Sequence, residues 1–497
     1  MGSTSDEFNV YPCIDVQKQV IKLSVCDAYS PKIWAKQTLF WPLDDRSKAG
    51  FIYDVLKEGM SRLLADVPGL TGMTGRGSED PRDLVINIPS NGPAEFTFDN
   101  LVGKHGIPDY ASLKSQHWPM SDVVVPFSPP GTMSQIFEGA SFFKAQLNVL
   151  NGGLALCIAM NHLLTDGASI AEIEEIWSKH TADVSDGKPF QSHRIETPDY
   201  DIRKRLSTPI DGAKDFTHVN WDLFPTEKSQ VNLPKLTPSK ETALGVLETA
   251  KKEHLSNVNV QAEDVKWCVW YFSAESLSKL KQDASGTDKS QWISTIDALV
   301  GLFWSRTAHS LKSKSKGHET SFALFPINIR HRLQPPLPSK YIGNAVDIVF
   351  LNCPIAKLEA DANEGIQAAA QHVRKAVSGW DQSLWESWLS KAATMSPELS
   401  ICPNPLALLN IHNIGFNDFS KVQSNLLDWG SVLGRADRVR YMGNPNMFSN
   451  CAPTVRVHPR LADGGLEVAT TANEHAREVM GNDEVMLRYG KLITVYA

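Results

Sequence analysis

Hydrophobic and polar residues alternate from residue 141 to residue 150, and an almost unbroken apolar run follows from residue 154 to residue 160. Between them, Asn151-Gly-Gly153 is a sequence typical of tight hairpin turns. The alternation predicts a strand with one polar face, and the continuous run predicts a strand buried on both faces. We therefore expect a β-hairpin whose second strand ends just before His162.

Helical periodicity begins soon after this hairpin. Ile170, Ile173 and Trp177 recur at the spacing of one helix face, and three glutamates at 172, 174 and 175 lie early in the same segment. Negative charge is favourable near a helix N-terminus because of the helix dipole. His162 is thus predicted on a strand–loop–helix junction, from which a side chain can enter a cleft.

Mixed strand and helix patterns occur in both halves of the chain. Apolar periodicity predicts one helix that ends near Pro68-Gly69 and another over residues 295–310, and residues 265–272 resemble a strand. Residues 198–263 are instead rich in Ser, Thr, Lys and Pro, which is typical of a long connection. We expect an α/β protein with an N-terminal domain over residues 1–197, a crossover over 198–263 and a C-terminal domain over 264–497.

Length and charge narrow the class of protein. A chain of 497 residues exceeds the size of one ordinary hydrophobic core, and a net charge of −7 argues against nucleic-acid binding. We find neither a run of about 18 apolar residues nor a signal peptide, so a cytoplasmic protein without membrane association is expected. The seven cysteines are scattered without a CxxC pair, which favours reduced thiols over disulfides or a zinc site.

Candidate chemistry lies in His162-Leu-Leu-Thr-Asp166-Gly167. A histidine at a strand end can act as a general base toward a hydroxyl or an amine. The alternative is a structural histidine with satisfied hydrogen bonds. A metal site is not expected, because zinc needs three or four ligands and the nearby sequence supplies none. No serine lies in a GxSxG nucleophile elbow, which disfavours a covalent acyl-enzyme.

Four segments, in this order, resemble motifs of the BAHD acyltransferases, and of the fungal branch in particular. They are Leu63-Leu-Ala-Asp-Val-Pro-Gly-Leu-Thr-Gly72, His162-Leu-Leu-Thr-Asp-Gly167, Asn328-Ile-Arg330-His-Arg-Leu-Gln-Pro-Pro-Leu-Pro338 with Tyr341-Ile-Gly-Asn344, and Asp428-Trp429-Gly430-Ser-Val-Leu-Gly-Arg-Ala436. The last segment departs from the family's DFGWGKP, with Trp429 for Phe, Ala436 for Pro and three inserted residues. These departures affect an element that the family uses structurally.

The resemblance implies two similarly folded, chloramphenicol-acetyltransferase-like domains, with mixed sheets flanked by helices and a long crossover. A channel between them would admit acyl-CoA from one side and a hydrophobic specialised metabolite from the other. His162 would deprotonate the hydroxyl or amine of this acceptor for direct attack on the thioester. Acyl-CoA, with acetyl-CoA as the expected donor, would be a cosubstrate and not a permanently bound cofactor. The enzyme is expected to be a monomer.

The resemblance also implies roles for other residues. Asp166 would turn away from His162 and pair with Arg330, holding the loop in shape. Gly167 would avoid crowding the channel or allow an unusual turn. Asp428, Trp429 and Gly430 would form a packed turn that braces the domain interface. Independently of the resemblance, a basic loop with Lys312, Lys314 and Lys316 is a candidate contact for the adenosine phosphates of coenzyme A.

Three other interpretations stay open at this point. A condensation-type relative would use carrier-bound acyl groups, although such domains usually have two adjacent histidines and Asn161 precedes His162 here. A repurposed member could use His162 to isomerise or cyclise a metabolite without an acyl donor. A non-catalytic binding module is disfavoured because the histidine is intact.

Overall fold

The computed structural model describes residues 8–31, 33–78, 83–120, 124–132, 139–194, 199–208, 265–286, 292–312, 319–360, 362–392, 413–442 and 453–496. The strands are β1 (Asn9–Val10), β2 (Gln19–Lys22), β3 (Trp34–Pro42), β4 (Met73–Arg76), β5 (Leu84–Ile88), β6 (Ala94–Asn100), β7 (Phe143–Leu150), β8 (Gly153–Asn161), β9 (Lys266–Phe272), β10 (Thr320–Asn328), β11 (Val346–Pro354), β12 (Ile414–Asp418), β13 (Arg438–Met442), β14 (Thr454–Val457), β15 (Leu466–Ala472) and β16 (Lys491–Tyr496). The α-helices are α1 (Val25–Ala28), α2 (Ala49–Asp66), α3 (Tyr110–Ser115), α4 (Val124–Phe127), α5 (Gly167–Ser185), α6 (Asp199–Arg205), α7 (Ala274–Ser285), α8 (Thr295–Ser310), α9 (Ile355–Leu358), α10 (Ala362–Ser378), α11 (Gln382–Ala392), α12 (Glu474–Gly481) and α13 (Glu484–Tyr489).

Two mixed sheets with flanking helices organise the two halves. The first has the order β1-β6-β7-β8-β3-β13, and the second has the order β11-β10-β12-β14-β15-β9-β16. A small sheet of order β2-β5-β4 accompanies the first half. Helices α2 and α5 pack together in the first half, and α8 packs on α10 in the second. The expected α/β class with two sheet-rich halves is confirmed.

The hairpin that carries the candidate site is formed by β7 and β8, which pair from Leu150 and Gly153 outward. Gln146 and Asn148 on the polar face of β7 are buried too, and Lys144 is half-buried, because these strands lie inside the sheet. The buried amides satisfy backbone carbonyls: Gln146 donates to the Pro126 oxygen over 2.8 Å, and Asn148 donates to the Phe127 oxygen over 3.1 Å. Alternation therefore predicted the strand correctly, although most of its polar face is buried.

The two halves exchange elements. Strand β13 comes from the segment assigned to the C-terminal domain, yet it joins the first sheet by antiparallel pairing with β3. Helix α6 lies at the start of the predicted crossover, and its Ile202, together with Leu206, packs into the core of the second half. The crossover from residue 209 to residue 263 lies outside the described residues. Among the helices described, none is long and apolar enough to cross a membrane.

Candidate active site

His162 follows the last residue of β8 and opens the turn that leads to α5. Its backbone N–H donates to the Ile33 oxygen over 3.0 Å, which holds the turn to the strand edge. The side chain of Asn161 accepts from the Leu163 N–H over 3.0 Å, and the Asn161 carbonyl accepts from the Thr165 hydroxyl over 3.1 Å. The turn is buried around a partly exposed His162, so the imidazole is held on a rigid support.

Asp166 caps the N-terminus of α5 and forms a buried ion pair. Its Oδ1 accepts from the Ser169 N–H over 2.9 Å, which is an N-cap hydrogen bond. Arg330 approaches in a bidentate manner, with Nη1 2.7 Å from Oδ2 and Nη2 3.0 Å from Oδ1. The Ala345 N–H also donates to this carboxylate, over 3.0 Å, whereas the Ser169 hydroxyl lies closer to the Gly343 oxygen, at 2.8 Å, than to Asp166 Oδ1, at 3.1 Å. Four N–H donors therefore occupy the two oxygens of Asp166.

These contacts decide the protonation and the role of Asp166. Burial favours the neutral acid, but the Arg330 guanidinium and the hydrogen bonds from Ala345 and Ser169 hold the pKa of Asp166 below its usual value. Because a carboxylate has about four lone-pair sites, the four N–H donors leave none for an imidazole N–H. Asp166 is thus placed to shape the loop, unlike the acid of a serine-hydrolase triad.

Arg330 connects the two halves. It lies in the loop of residues 329–345 between β10 and β11, in the second half of the chain. In addition to Asp166, its guanidinium donates to the Gly343 oxygen over 2.7 Å and to the Tyr341 oxygen over 3.1 Å. The pairing that the resemblance implied between Asp166 and Arg330 is present, and it fastens the start of α5 to this loop.

Asn344 lies in the same loop and contacts the backbone of the histidine turn. Its Nδ2 donates to the carbonyl oxygens of His162 and Leu163 over 2.9 and 3.2 Å. Asp27 also contacts Asn344, and its Oδ1 accepts from the backbone N–H of Asn344 over 2.7 Å. In the sequence, Asn344 was the last residue of a family motif, and no role was predicted for it.

A second buried ion pair supports Asp27. Arg203 of α6 donates to the Asp27 carboxylate and, over 2.8 Å, to the Ile342 oxygen. Neither residue was singled out from the sequence, because Arg203 falls in the predicted crossover. The capping sequence Ser24-Val-Cys-Asp27 was the available signal for Asp27, since both halves of a capping box are formed there.

The environment of His162 favours the neutral imidazole. Burial lowers the pKa of His162, whereas its own backbone, the charge of Asp166 and the Asn344 side chain oppose this effect in part. A neutral imidazole at physiological pH has a lone pair for a proton. The arrangement can therefore perform general-base chemistry.

Gly167 lies where α5 begins, against the second half. A Cβ at this position would lie 3.1 Å from Cε1 of Phe419, tighter than ordinary van der Waals contact. Phe419 in turn stacks on Tyr441, with ring centroids 4.3 Å apart. A side chain here would therefore press on Phe419, while crowding of a channel stays a prediction.

The segment Asp428-Trp429-Gly430 forms a tight turn against the far end of α5. Trp429 is fully buried, and its ring meets those of Trp41 and Trp177 edge-on at 5.7 and 5.6 Å. Asp428 Oδ1 accepts from the Gly430 N–H over 3.0 Å. Gly430 has φ +86°, and a Cβ on it would lie 2.6 Å from Cα of Ala182. The turn therefore packs on the helix that follows His162.

The lysines proposed for phosphate contact are only partly described. Lys312 is exposed just after α8, and Lys314 and Lys316 lie outside the described residues. A role in coenzyme A binding stays a prediction.

One group of possible metal ligands occurs in the described part of the chain. Ligand atoms of His180, Asp183 and His193 lie within 4.8 Å of one another, near the C-terminal end of α5. His180 Nε2 already contacts Asp66 Oδ2 at 2.8 Å, and His193 Nε2 contacts Asp183 Oδ2 at 2.6 Å. Each of the two histidines is therefore paired with a carboxylate.

The chain is similar to proteins named as acyltransferases along almost its whole length. A model of the Transferase family matches residues 4–404. The chain is 38% identical over 498 residues to the acyltransferase clz6 of Cochliobolus lunatus, covering 99% of each protein. It is 36% identical over 498 residues to the acyltransferase M4 of a Phoma species, covering all of both.

A solved structure shares the fold. The crystal structure of F. graminearum TRI101 complexed with coenzyme A and T-2 mycotoxin superimposes with a TM-score of 0.74 at 18% identity, covering 96% of this chain and 100% of that one. The architecture implied by the four motifs is thus confirmed. The protein belongs to the Transferase family, that is, to the BAHD acyltransferases.

Proposed function

We propose that this enzyme transfers an acyl group, with acetyl-CoA as the donor, to a hydroxyl or amine of a hydrophobic specialised metabolite. The observation that carries the proposal is the partly exposed His162, whose lowered pKa keeps it neutral on a turn braced from both halves. The names of clz6 and M4, both acyltransferases, and the coenzyme A bound by TRI101 support the same chemistry.

In this mechanism His162 accepts the proton of the acceptor as the acceptor attacks the thioester carbonyl. The C–O or C–N bond forms, the C–S bond breaks, and the proton passes on to the coenzyme A thiolate. Coenzyme A thiolate is a good leaving group, so one base is sufficient and both substrates react in a ternary complex. The Asp166 carboxylate favours the imidazolium that forms during the step, because its charge raises the pKa of His162.

The proposal also includes the binding partners, the oligomeric state and the cellular location of the enzyme. Acyl-CoA and the acceptor are the only partners proposed, and the enzyme acts as a cytoplasmic monomer. Lys312, Lys314 and Lys316 are proposed to lie near the adenosine phosphates of coenzyme A. Cation side chains are suited to phosphate binding as point charges.

The proposal is tested by thiol release. Purified enzyme is incubated with acetyl-CoA and a panel of alkaloid, terpenoid and polyketide alcohols and amines, and free coenzyme A is measured together with product mass. At least one acceptor should gain an acetyl group, and His162→Ala should lower the rate about 10²–10⁴-fold. His372→Ala is the matched control, because His372 is a half-buried histidine whose Nδ1 contacts the Ala368 carbonyl of its own helix.

Two results would reject the proposal. If the His162→Ala variant is as active as the His372→Ala control, His162 is not the general base. Conversion of an acceptor without a change in mass and without acetyl-CoA would instead show isomerisation or cyclisation.

A further inference from the structure

Three side chains that can bind a metal ion come together where α5 ends and residues 187–194 fold back onto it. His180 and Asp183 are three positions apart, so they lie on the same face of the helix. His193 comes from the returning segment, and its Nε2 lies 2.6 Å from Asp183 Oδ2. One ligand atom from each of the three residues lies within 4.8 Å of the other two. Two imidazoles and a carboxylate are ligands that zinc uses in proteins.

His180 has a buried ring nitrogen that the described residues do not satisfy. Its side chain is fully buried, and its Nε2 lies 2.8 Å from Asp66 Oδ2, whereas its Nδ1 has no hydrogen bond among the described residues. A carboxylate oxygen can only accept, so Nε2 is the nitrogen that carries the proton. In the neutral ring, Nδ1 then holds a lone pair inside the protein. A buried polar atom of this kind normally has a partner.

Asp66, the last residue of α2, supports this group from the side of Nε2. Its Oδ2 accepts from the His180 ring and also from the backbone N–H of His193, which is 2.8 Å away. One carboxylate therefore orients the first histidine and holds the backbone of the second. A metal-binding histidine commonly donates its other ring N–H to a carboxylate in this way, which fixes its tautomer and makes it a stronger ligand.

Charge and access are suited to a divalent cation. Two carboxylates, those of Asp66 and Asp183, lie beside two imidazoles that are neutral when they bind a metal. Lys188 brings a positive charge, but its Nζ contacts Asp183 at Oδ1, over 3.3 Å, and its side chain is 56% exposed. Oδ2 of Asp183 therefore stays available to an ion. The side chains of Asp183 and His193 are 16% and 26% exposed, so an ion can reach them from solvent.

We infer that this chain binds one zinc ion through Nδ1 of His180, Oδ2 of Asp183 and Nε2 of His193, with Asp66 as the carboxylate that orients His180. The hydrogen bond between Asp183 and His193 is then replaced by two bonds to the same ion. The ion links α5 to the segment that follows it. This group lies about 20 Å along α5 from Asp166. The zinc site is therefore structural, and it does not depend on the proposed function.

Metal content and metal affinity test the inference. Full-length protein without a histidine tag is stripped with a chelator, dialysed and titrated with zinc by calorimetry, and bound zinc is counted by mass spectrometry of the elements. Wild type should bind one zinc ion per chain. Asp66→Asn should weaken binding about 10–100-fold, the range typical of losing a carboxylate behind a metal-binding histidine. His193→Ala should weaken it about 100-fold or more, because a direct ligand is lost.

Asp186→Asn is the matched control. Asp186 is an exposed carboxylate in the same segment that pairs with Lys188 over 2.8 Å, so it adds negative charge without belonging to the group. This variant should bind zinc as tightly as wild type. Zinc should also raise the melting temperature of wild type and of Asp186→Asn, and leave that of His193→Ala unchanged.

Three results would overturn the inference. Wild-type protein that binds no zinc in a one-to-one ratio would do so by itself, even if a variant fails to fold. Wild-type affinity in His193→Ala would show that the ion binds elsewhere. An equal loss of affinity in Asp186→Asn and Asp66→Asn would show a general attraction to negative charge instead of a site. Because His193 and Asp186 are both partly exposed, their variants keep the buried contacts of His180.

Discussion

Replacing Arg330 with methionine tests whether the ion pair with Asp166 is the principal link between the halves at the site. The substitution keeps a long apolar side chain but removes both charge-assisted bonds to Asp166 and the donors to the Tyr341 and Gly343 carbonyls. Since both charges are buried, at 2% and 1% exposure, solvent screens the pair very little. The main cost is an unpaired carboxylate left inside the protein.

The size of this cost follows from the remaining contacts. Breaking a buried ion pair by removing one partner typically costs about 3–5 kcal/mol. Asp166 would keep its bonds from the Ser169 N–H and the Ala345 N–H, which places the carboxylate contribution near the lower limit. Loss of donors to two carbonyls adds about 1 kcal/mol or more. We expect about 3–5 kcal/mol in total.

The pH dependence has a definite sign. In the wild type the pKa of Asp166 is depressed, so its contribution to stability is present above the unfolded pKa of about 3.9 and is lost only in stronger acid. In Arg330→Met the burial of Asp166 acts without the guanidinium and raises its pKa above the unfolded value. The deficit should therefore be larger at pH 8 than at pH 5, where protonation relieves the buried charge.

Urea unfolding followed by tryptophan fluorescence at both pH values measures the deficit. Lys179→Met is the control, since Lys179 and Glu175 form an ion pair with both side chains exposed, at 43% and 37%, and the expected loss there is about 1 kcal/mol or less. Adding Asp166→Asn to Arg330→Met should restore part of the stability. An Arg330→Met deficit no larger than that of the control, or exact additivity in the double variant, would refute the reasoning.

Three further predictions concern other parts of the molecule. His162 can act as a base only when it is neutral, and burial lowers its pKa. The value of kcat/KM, measured from pH 5 to pH 8, should therefore fall to half of its plateau at a pH below 6.5. A midpoint above pH 7 would contradict this. Trp429→Ala should cost about 3–5 kcal/mol in urea unfolding while changing kcat/KM of the folded enzyme little, and a selective loss of activity would contradict a bracing role. Burial raises the pKa of Glu174 to about 7, so wild-type stability should fall as pH rises from about 4.5 through 7, whereas Glu174→Gln should lack this decline.

The sequence was sufficient for the elements that carry His162. The turn at residues 151–153 and the apolar run after it predicted the hairpin, which the structure places at β7 and β8. Helix α8 has the bounds expected from periodicity, residues 295–310. These features depend on local periodicity and turn chemistry, which the sequence displays directly. The contact between Arg330 and Asp166 could be predicted only from the resemblance to the family, because the two residues are 164 positions apart and no local pattern connects them.

Other features depend on contacts between distant segments. Periodicity does not identify the partner of a strand, and no strand was predicted at residues 438–442, so the entry of β13 into the first sheet was not foreseen. Glu174 was interpreted as an acid favoured by the helix dipole, yet it is fully buried and hydrogen-bonded by Ser424. Asn344 and Asp27 are 317 positions apart and meet only after both halves have folded.

His162 and the side chains that support its turn belong to different halves of the chain. The strand and turn that present His162 come from the first half, whereas Arg330 and Asn344 both come from the 329–345 loop of the second. Arg330 fixes the helix that leaves the turn, and Asn344 fixes the carbonyl of the histidine itself. The first half alone would therefore carry the HxxxDG sequence but would leave the Asp166 carboxylate without its cation. Contacts between the two halves therefore form part of the site as well as part of the packing. The HxxxDG turn depends on these contacts, although the loop that makes them lies far along the chain.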